Sequence, residues 1–246
     1  MGIKSVICTA AIAAGIAFAS GAQKFAPQPN PNPMPSGGLV VREPEDTNVI
    51  VIRNLQTRFT EEEMAEVVAS FKTSLALPVK LATGDEIVER AGATVTVEDS
   101  PAFGGATLLV APEQGWSRLA VGWLLEDAPE GEKRIARLEV ELMRAVAASL
   151  GVGYSIHQPC IMSNVESIRD LDKIALFVSG PGPETENNLT VCAKKRGIGK
   201  YRFATYRRAC QQGWAPAPTN DVQRAIWDEV ASSKEQGPAN RKAIKR

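Results

Sequence analysis

From Glu132 to Leu150 the apolar residues Ile135, Leu138, Leu142, Val146 and Leu150 recur at steps of three and four, and Gly151 follows at once. That spacing puts one continuous apolar stripe on a helix, and a glycine there supplies the left-handed stop that ends it. This is the longest helix the sequence predicts. A stripe of that length must be covered by other elements, so the rest of the chain has to fold around it.

The segments before it supply strands and one further helix. Thr47 to Leu55 (TNVIVIRNL) alternates and is rich in β-branched residues, as a strand is. Thr60-Glu61-Glu62-Glu63 has the form of a capping box, and Met64, Val67, Val68, Phe71 and Leu75 continue at helical spacing. Leu77 to Leu81, Ala93 to Val97, Ala106 to Ala111 and Leu119 to Leu125 read as further strands, the last two joined through Gly115. A final helix is predicted from Asp221 to Ser233, capped by Asn220, with Val222, Ile226, Trp227 and Val230 facing inward. The order is that of an α/β or α+β chain without internal repeats.

The two ends differ from this pattern. Met1 to Ala22 opens with a lysine, continues as an apolar run from Ser5 to Phe18 and reaches small residues at Ala17, Ala19, Ser20 and Ala22, the layout of a secretory signal peptide. The apolar run is about 14 residues, short of the roughly 20 that a spanning helix requires. Cleavage is expected after Ala19 or Ala22, and no lipobox precedes it, so the expected product is exported, secreted or periplasmic, with no membrane span. Residues 23–38 carry Pro27, Pro29, Pro31, Pro33 and Pro35 among Asn, Gln and Gly, a composition suited to an extended tether. The expected folded domain is 39–236, and 237–246 is a basic tail.

Lys plus Arg equals Asp plus Glu at 28 each, so no global field directs the chain to a nucleic acid or a membrane. Three cysteines lie beyond the leader: Cys160, Cys192 and Cys210. An oxidising compartment favours a disulfide, Cys192 with Cys210 or Cys160 with Cys192, and one leftover thiol.

The stretch RAVAASLGVGYSIHQPCIMSNVESIRDLDKIALFVSGPGP, Arg144 to Pro183, resembles the archaemetzincins, zinc metallopeptidases with the pattern H-E-x-x-H-x-x-G-x-x-H-C-x4-C-x-M-x17-C-x-x-C. With the motif glycine on Gly151, Cys160 and Met162 fall on the C-x-M without a gap. The resemblance implies a metzincin-like mixed sheet, a central long helix and a methionine-bearing turn, the Met-turn, at Met162. It also shows what is missing. The three histidine positions are held by Arg144, Ala148 and Tyr154, and the position of the general-base glutamate by Ala145. A guanidinium has no lone pair for a metal and stays cationic, and alanine has no donor. The four cysteines of the family's structural zinc site become Ser155, Cys160, Gly180 and Pro183. The implied protein is a pseudoenzyme with no catalytic residues, no metal and no cofactor, acting through binding or as a structural element. The alternative is a hydrolase that reuses the cleft with Glu141, His157 or Cys160.

Other candidates are open to ordinary explanations. His157 is the sole histidine. It fits a partly buried polar side chain, or, joined with Cys160, Cys192 and Cys210, a structural zinc site whose spacings match no short zinc motif. Cys160 as a nucleophile has only His157 as a neighbouring base. Glu139, Glu141, Asp170 and Asp172 are carboxylates without a fixed pairing. The partner is unknown. Lys194, Lys195, Arg196, Lys200, Arg202, Arg207 and Arg208, interleaved with Tyr201, Phe203 and Tyr206, form a basic and aromatic cluster that suits either an anionic polymer or a solvated face.

Overall fold

The computed structural model describes residues 37–84, 86–127, 129–155, 160–177 and 183–235. The leader, most of the proline-rich segment, His157, Gly180 and the basic tail lie outside them. Among the described residues no helix is long and apolar enough to cross a membrane.

The fold is mixed α+β. Strands β1 (Leu39–Arg42), β2 (Val49–Asn54), β3 (Val79–Thr83), β4 (Ala91–Glu98), β5 (Leu108–Ala111), β6 (Trp116–Ala120) and β7 (Arg202–Thr205) are joined by helices α1 (Glu61–Ser74), α2 (Gly131–Ser149), α3 (Ile168–Phe177), α4 (Pro183–Lys195), α5 (Tyr206–Gln212) and α6 (Asp221–Glu235). The main sheet has the order β3-β2-β4-β6-β5. Its first four strands run parallel and β5 closes one edge antiparallel to β6. Ile50, Val51 and Ile52 of β2 are all buried, as befits a parallel strand covered on both faces.

Helix α1 begins as its sequence requires. The Thr60 hydroxyl accepts from the Glu63 amide, and the Glu63 carboxylate accepts from the Thr60 amide at 2.7 Å. Helix α2 buries almost its whole C-terminal half, from Arg137 to Ser149, and stops before Gly151 at φ 94°. The Ser117 hydroxyl of β6 donates to the Ala145 carbonyl at 3.0 Å, fixing the helix on the sheet. Arg137, wholly buried, donates to the carbonyls of Leu124 and Glu126 and to Asp172 of α3. One side chain thereby ties α2 to the two segments that flank it.

Three expectations need correction. The predicted strand from Leu119 to Leu125 ends at Ala120, and Gly122–Leu125 turns as a 3-10 helix. An apolar run cannot by itself separate a strand from a buried helical turn. Here a Cβ on Gly122 would lie 3.0 Å from the Pro101 Cα and 3.1 Å from the Asp99 carbonyl oxygen, so close backbone approach holds the turn. On α6, Ile226 and Val230 face inward, but Val222 and Trp227 are 43% and 39% exposed. The helix rests on Tyr206 and Cys210 along one narrow stripe, and among the described residues that cluster does not extend to Val222 or Trp227. Finally, Cys160, Cys192 and Cys210 are all thiols, and no disulfide joins them. Cys160 belongs to the main core, Cys192 packs against it, and Cys210 sits in the smaller cluster under α6.

That smaller cluster belongs to an annex. β1 and β7 pair as a separate two-stranded sheet, with Leu39 opposite Thr205 and Arg42 opposite Arg202. Tyr206, Cys210, Ile226 and Val230 form the core beneath it.

Candidate functional site

A concavity of about 1070 Å³ opens between α2, the 101–108 segment leading into β5, and the 164–169 segment entering α3. Its floor comes from α2. Glu141 and Arg144 sit three residues apart on one face of the helix, so their side chains meet, and both line the cleft. They are 1% and 5% exposed. Arg144 Nη1 donates to Glu141 Oε2 at 2.9 Å, and Nη2 approaches the Ser163 carbonyl at 3.4 Å. Burial pushes the Glu141 carboxyl above the usual range, and Arg144 pulls back only part of that rise.

Ser163 ends the turn that carries Met162. The Ser163 amide donates to the Cys160 carbonyl at 3.0 Å, and the Ser155 amide donates to the Met162 carbonyl at 2.9 Å. Met162 is buried in the main core with Ile161. The long helix and the methionine-bearing turn are thus held together by Arg144.

The sequence-predicted positions fall around this point. Ala145 is wholly buried with its carbonyl facing Ser117, and Ala148 is also buried. Tyr154 stands exposed on the cleft wall. Cys160 does not open into the cleft; its sulfur lies 2.9 Å from the Thr185 hydroxyl in α4. At the positions implied for the structural zinc, Ser155 bridges to Ser163, Pro183 starts α4, and Gly180 is outside the described residues. Among the described residues, which omit His157, no group of three or more His, Cys, Asp or Glu side chains is placed to hold a metal. Of the four carboxylates singled out, Glu141 alone lines the cleft. Glu139 accepts from Ser70, Asp170 from Ser167 and Lys173, and Asp172 from Arg137.

The sequence reading missed Trp123. Its indole and Arg144 both line the cleft, and Trp123 Nε1 and Arg144 Nε are buried donors that have no hydrogen-bond partner among the described residues. An unmet buried donor costs about 1–3 kcal/mol. Glu141 and Arg144 were each singled out from the sequence, but their pairing is first shown by the structure, and the Trp123 position depended on the 3-10 turn that the sequence disguised as a strand.

Neither a known protein family nor a curated protein matches the chain. Ten chains of solved structures are similar to it, two of which follow. An archaemetzincin from Methanopyrus kandleri aligns at 12% identity and a TM-score of 0.49, covering 61% of this chain and 98% of that one. A zinc-dependent peptidase from Methanocorpusculum labreanum (strain Z) aligns at 14% identity and a TM-score of 0.43, covering 57% and 99%.

Proposed function

We propose that this chain is an exported protein on an archaemetzincin-like scaffold that holds no catalytic zinc and acts by binding in the α2 cleft. The observation that carries the reading is the buried ion pair of Arg144 with Glu141 at 2.9 Å. The donor set at the zinc-ligand positions does not fit the ion: Arg144 is a cation already committed to a carboxylate, and Ala148 offers no donor. Ala145 has no carboxylate with which to take a proton from water. Support for a binding role comes from the orphaned donors of Trp123 and Arg144, which would meet an acceptor atom on the cleft floor. The leader layout of residues 1–22 supports export.

A second reading rests on Glu141, whose raised proton affinity suits a general acid in the same cleft. Elemental analysis of the purified protein, joined to a broad peptide-hydrolysis screen, separates the readings. The binding reading expects substoichiometric zinc and no cleavage. Stoichiometric zinc with chelator-sensitive cleavage overturns it. Cleavage that ignores chelator and disappears in Glu141→Gln establishes the second reading. For export, the mass of the mature chain is expected to begin at Ser20 or Gln23, and an intact Met1 in the recovered protein overturns it.

A further inference from the structure

The basic and aromatic cluster of the sequence does not survive as one patch. Arg207 turns to Glu229 of α6, with Nη1 to Oε1 at 2.5 Å and Nη2 to Oε2 at 2.9 Å. Arg196 donates to the Pro112 carbonyl beside the main sheet. Lys200 is shared between the Thr190 hydroxyl at 3.0 Å and Glu186 at 3.4 Å. Lys194, Arg202 and Arg208 are left with no side-chain hydrogen bond or ion pair among the described residues.

The fold then adds a cation that the local sequence does not contain. Pairing of β1 with β7 sets Arg42 directly opposite Arg202. Like charges at opposed positions of an antiparallel pair are destabilising. Glu45 offsets Arg42 at 3.0 Å, but nothing described offsets Arg202. Arg202 is the shared wall of two adjoining concavities. One, of about 430 Å³, is also lined by Arg42, Lys194 and Lys200 and by the carboxylates of Glu43 and Glu45. The other, of about 580 Å³, is lined by Phe203, Arg208, Gln212 and Trp214. The Trp214 indole N–H donates to Gln212 Oε1 at 2.7 Å, which fixes the ring and leaves the Gln212 amide N–H groups available.

We propose that this double groove, with Arg202 at its centre, binds an acidic polysaccharide. The aromatic rings offer apolar faces to the C–H surface of a sugar, the Gln212 amide donates to hydroxyls, and Arg202, Arg208 and Lys194 meet carboxylate groups. The charge pattern decides against a nucleic acid. A nucleic acid carries a phosphate on every nucleotide and is bound mainly by neutralising those charges, whereas here Glu43 and Glu45 stand among the cations and the whole chain has a formal net charge of zero. A polysaccharide with one carboxylate on every second sugar presents the sparser charge that such a groove can meet. This site is on the annex and is independent of what the α2 cleft does.

The test compares retention of the full chain on immobilised hyaluronate, unsulfated chondroitin and single-stranded DNA across a salt gradient. Salt-sensitive retention on at least one polysaccharide, stronger than on DNA, is expected. Arg202→Ala and Arg208→Ala should each lower affinity roughly tenfold, the scale of one charge-assisted contact, and Trp214→Ala should lower it as well. Arg207→Ala, whose guanidinium is held by Glu229, should leave retention unchanged. Because Arg202→Ala relieves a like-charge opposition, its thermal midpoint should not fall, which separates lost binding from lost folding. Absence of retention on both polysaccharides, DNA retention as strong as theirs, or retention indifferent to Arg202→Ala and Arg208→Ala would each overturn the proposal.

Discussion

The guanidinium of Arg137 meets the carboxylate of Asp172 edge to edge, Nε to Oδ1 at 2.6 Å and Nη2 to Oδ2 at 2.9 Å, and Lys133 adds a third contact to Oδ2 at 2.9 Å. The two partners are unequally buried: the Arg137 side chain is at 0% exposure and that of Asp172 at 21%. That inequality makes the pair directional.

Removing Asp172 strands a fully buried cation, and breaking a buried pair in this way costs about 3–5 kcal/mol. Removing Arg137 leaves a carboxylate at the surface with Lys133 still beside it. Asp172→Ala should therefore unfold at clearly lower denaturant concentration than Arg137→Met. Equal midpoints for the two variants in urea would contradict this account.

The same pair sets an acid limit. The two hydrogen bonds from Arg137 hold the Asp172 carboxyl below its ordinary value of 3.8, with Lys133 adding to the effect and partial burial opposing it. The folded-state value is thus the lower one, so the stabilisation is present above about 3.8 and is lost as pH falls through the depressed folded value. Stability of the wild type should exceed that of Asp172→Asn at neutral pH, and the gap should close on acidification. A gap that is constant down to the acid transition would show that Asp172 does not titrate with folding.

Glu141 and Arg144 make a contrasting pair, since both are buried and both sit against the main core. Glu141→Ala leaves Arg144, among the described residues, with its contact to the Ser163 carbonyl alone, and about 3–5 kcal/mol should be lost. Replacing both, as Glu141→Leu with Arg144→Met, removes two desolvated charges at similar volume and should restore stability to within about 1 kcal/mol of the wild type or better. A double variant as unstable as the single one would mean that the pair contributes through more than its own charges.

The sequence revealed those elements whose periodicity is unbroken. Helix α2, with its stop at Gly151, follows directly from Ile135, Leu138, Leu142 and Val146, and α1 from its Thr60 capping box. What it concealed had physical causes. Val121 to Leu125 is apolar throughout, and whether such a run pleats or turns is settled by Gly122 lying against Pro101, a contact from well back in the chain. The annex was hidden for a related reason: β1 and β7 are four residues each and gain their identity only from one another. At the site, Glu141 and Arg144 were legible as separate candidates, but their pairing needed the burial that the fold imposes, and the wall supplied by Trp123 depends on that same turn. The basic run from Lys194 to Arg208 was legible as composition, while its division into committed and uncommitted cations required Glu229, Pro112 and Glu186.

The annex also orders events during biosynthesis. Gln223 of α6 donates to the carbonyl of Gly37, a separation of 186 residues, and β1 waits for β7 in the same way. Such distant closures come late, because the chain entropy they consume is recovered only once both ends exist. A ribosome must have released nearly the whole chain before Arg42 can lie beside Arg202, so a truncated product lacks the groove however well its main sheet has formed.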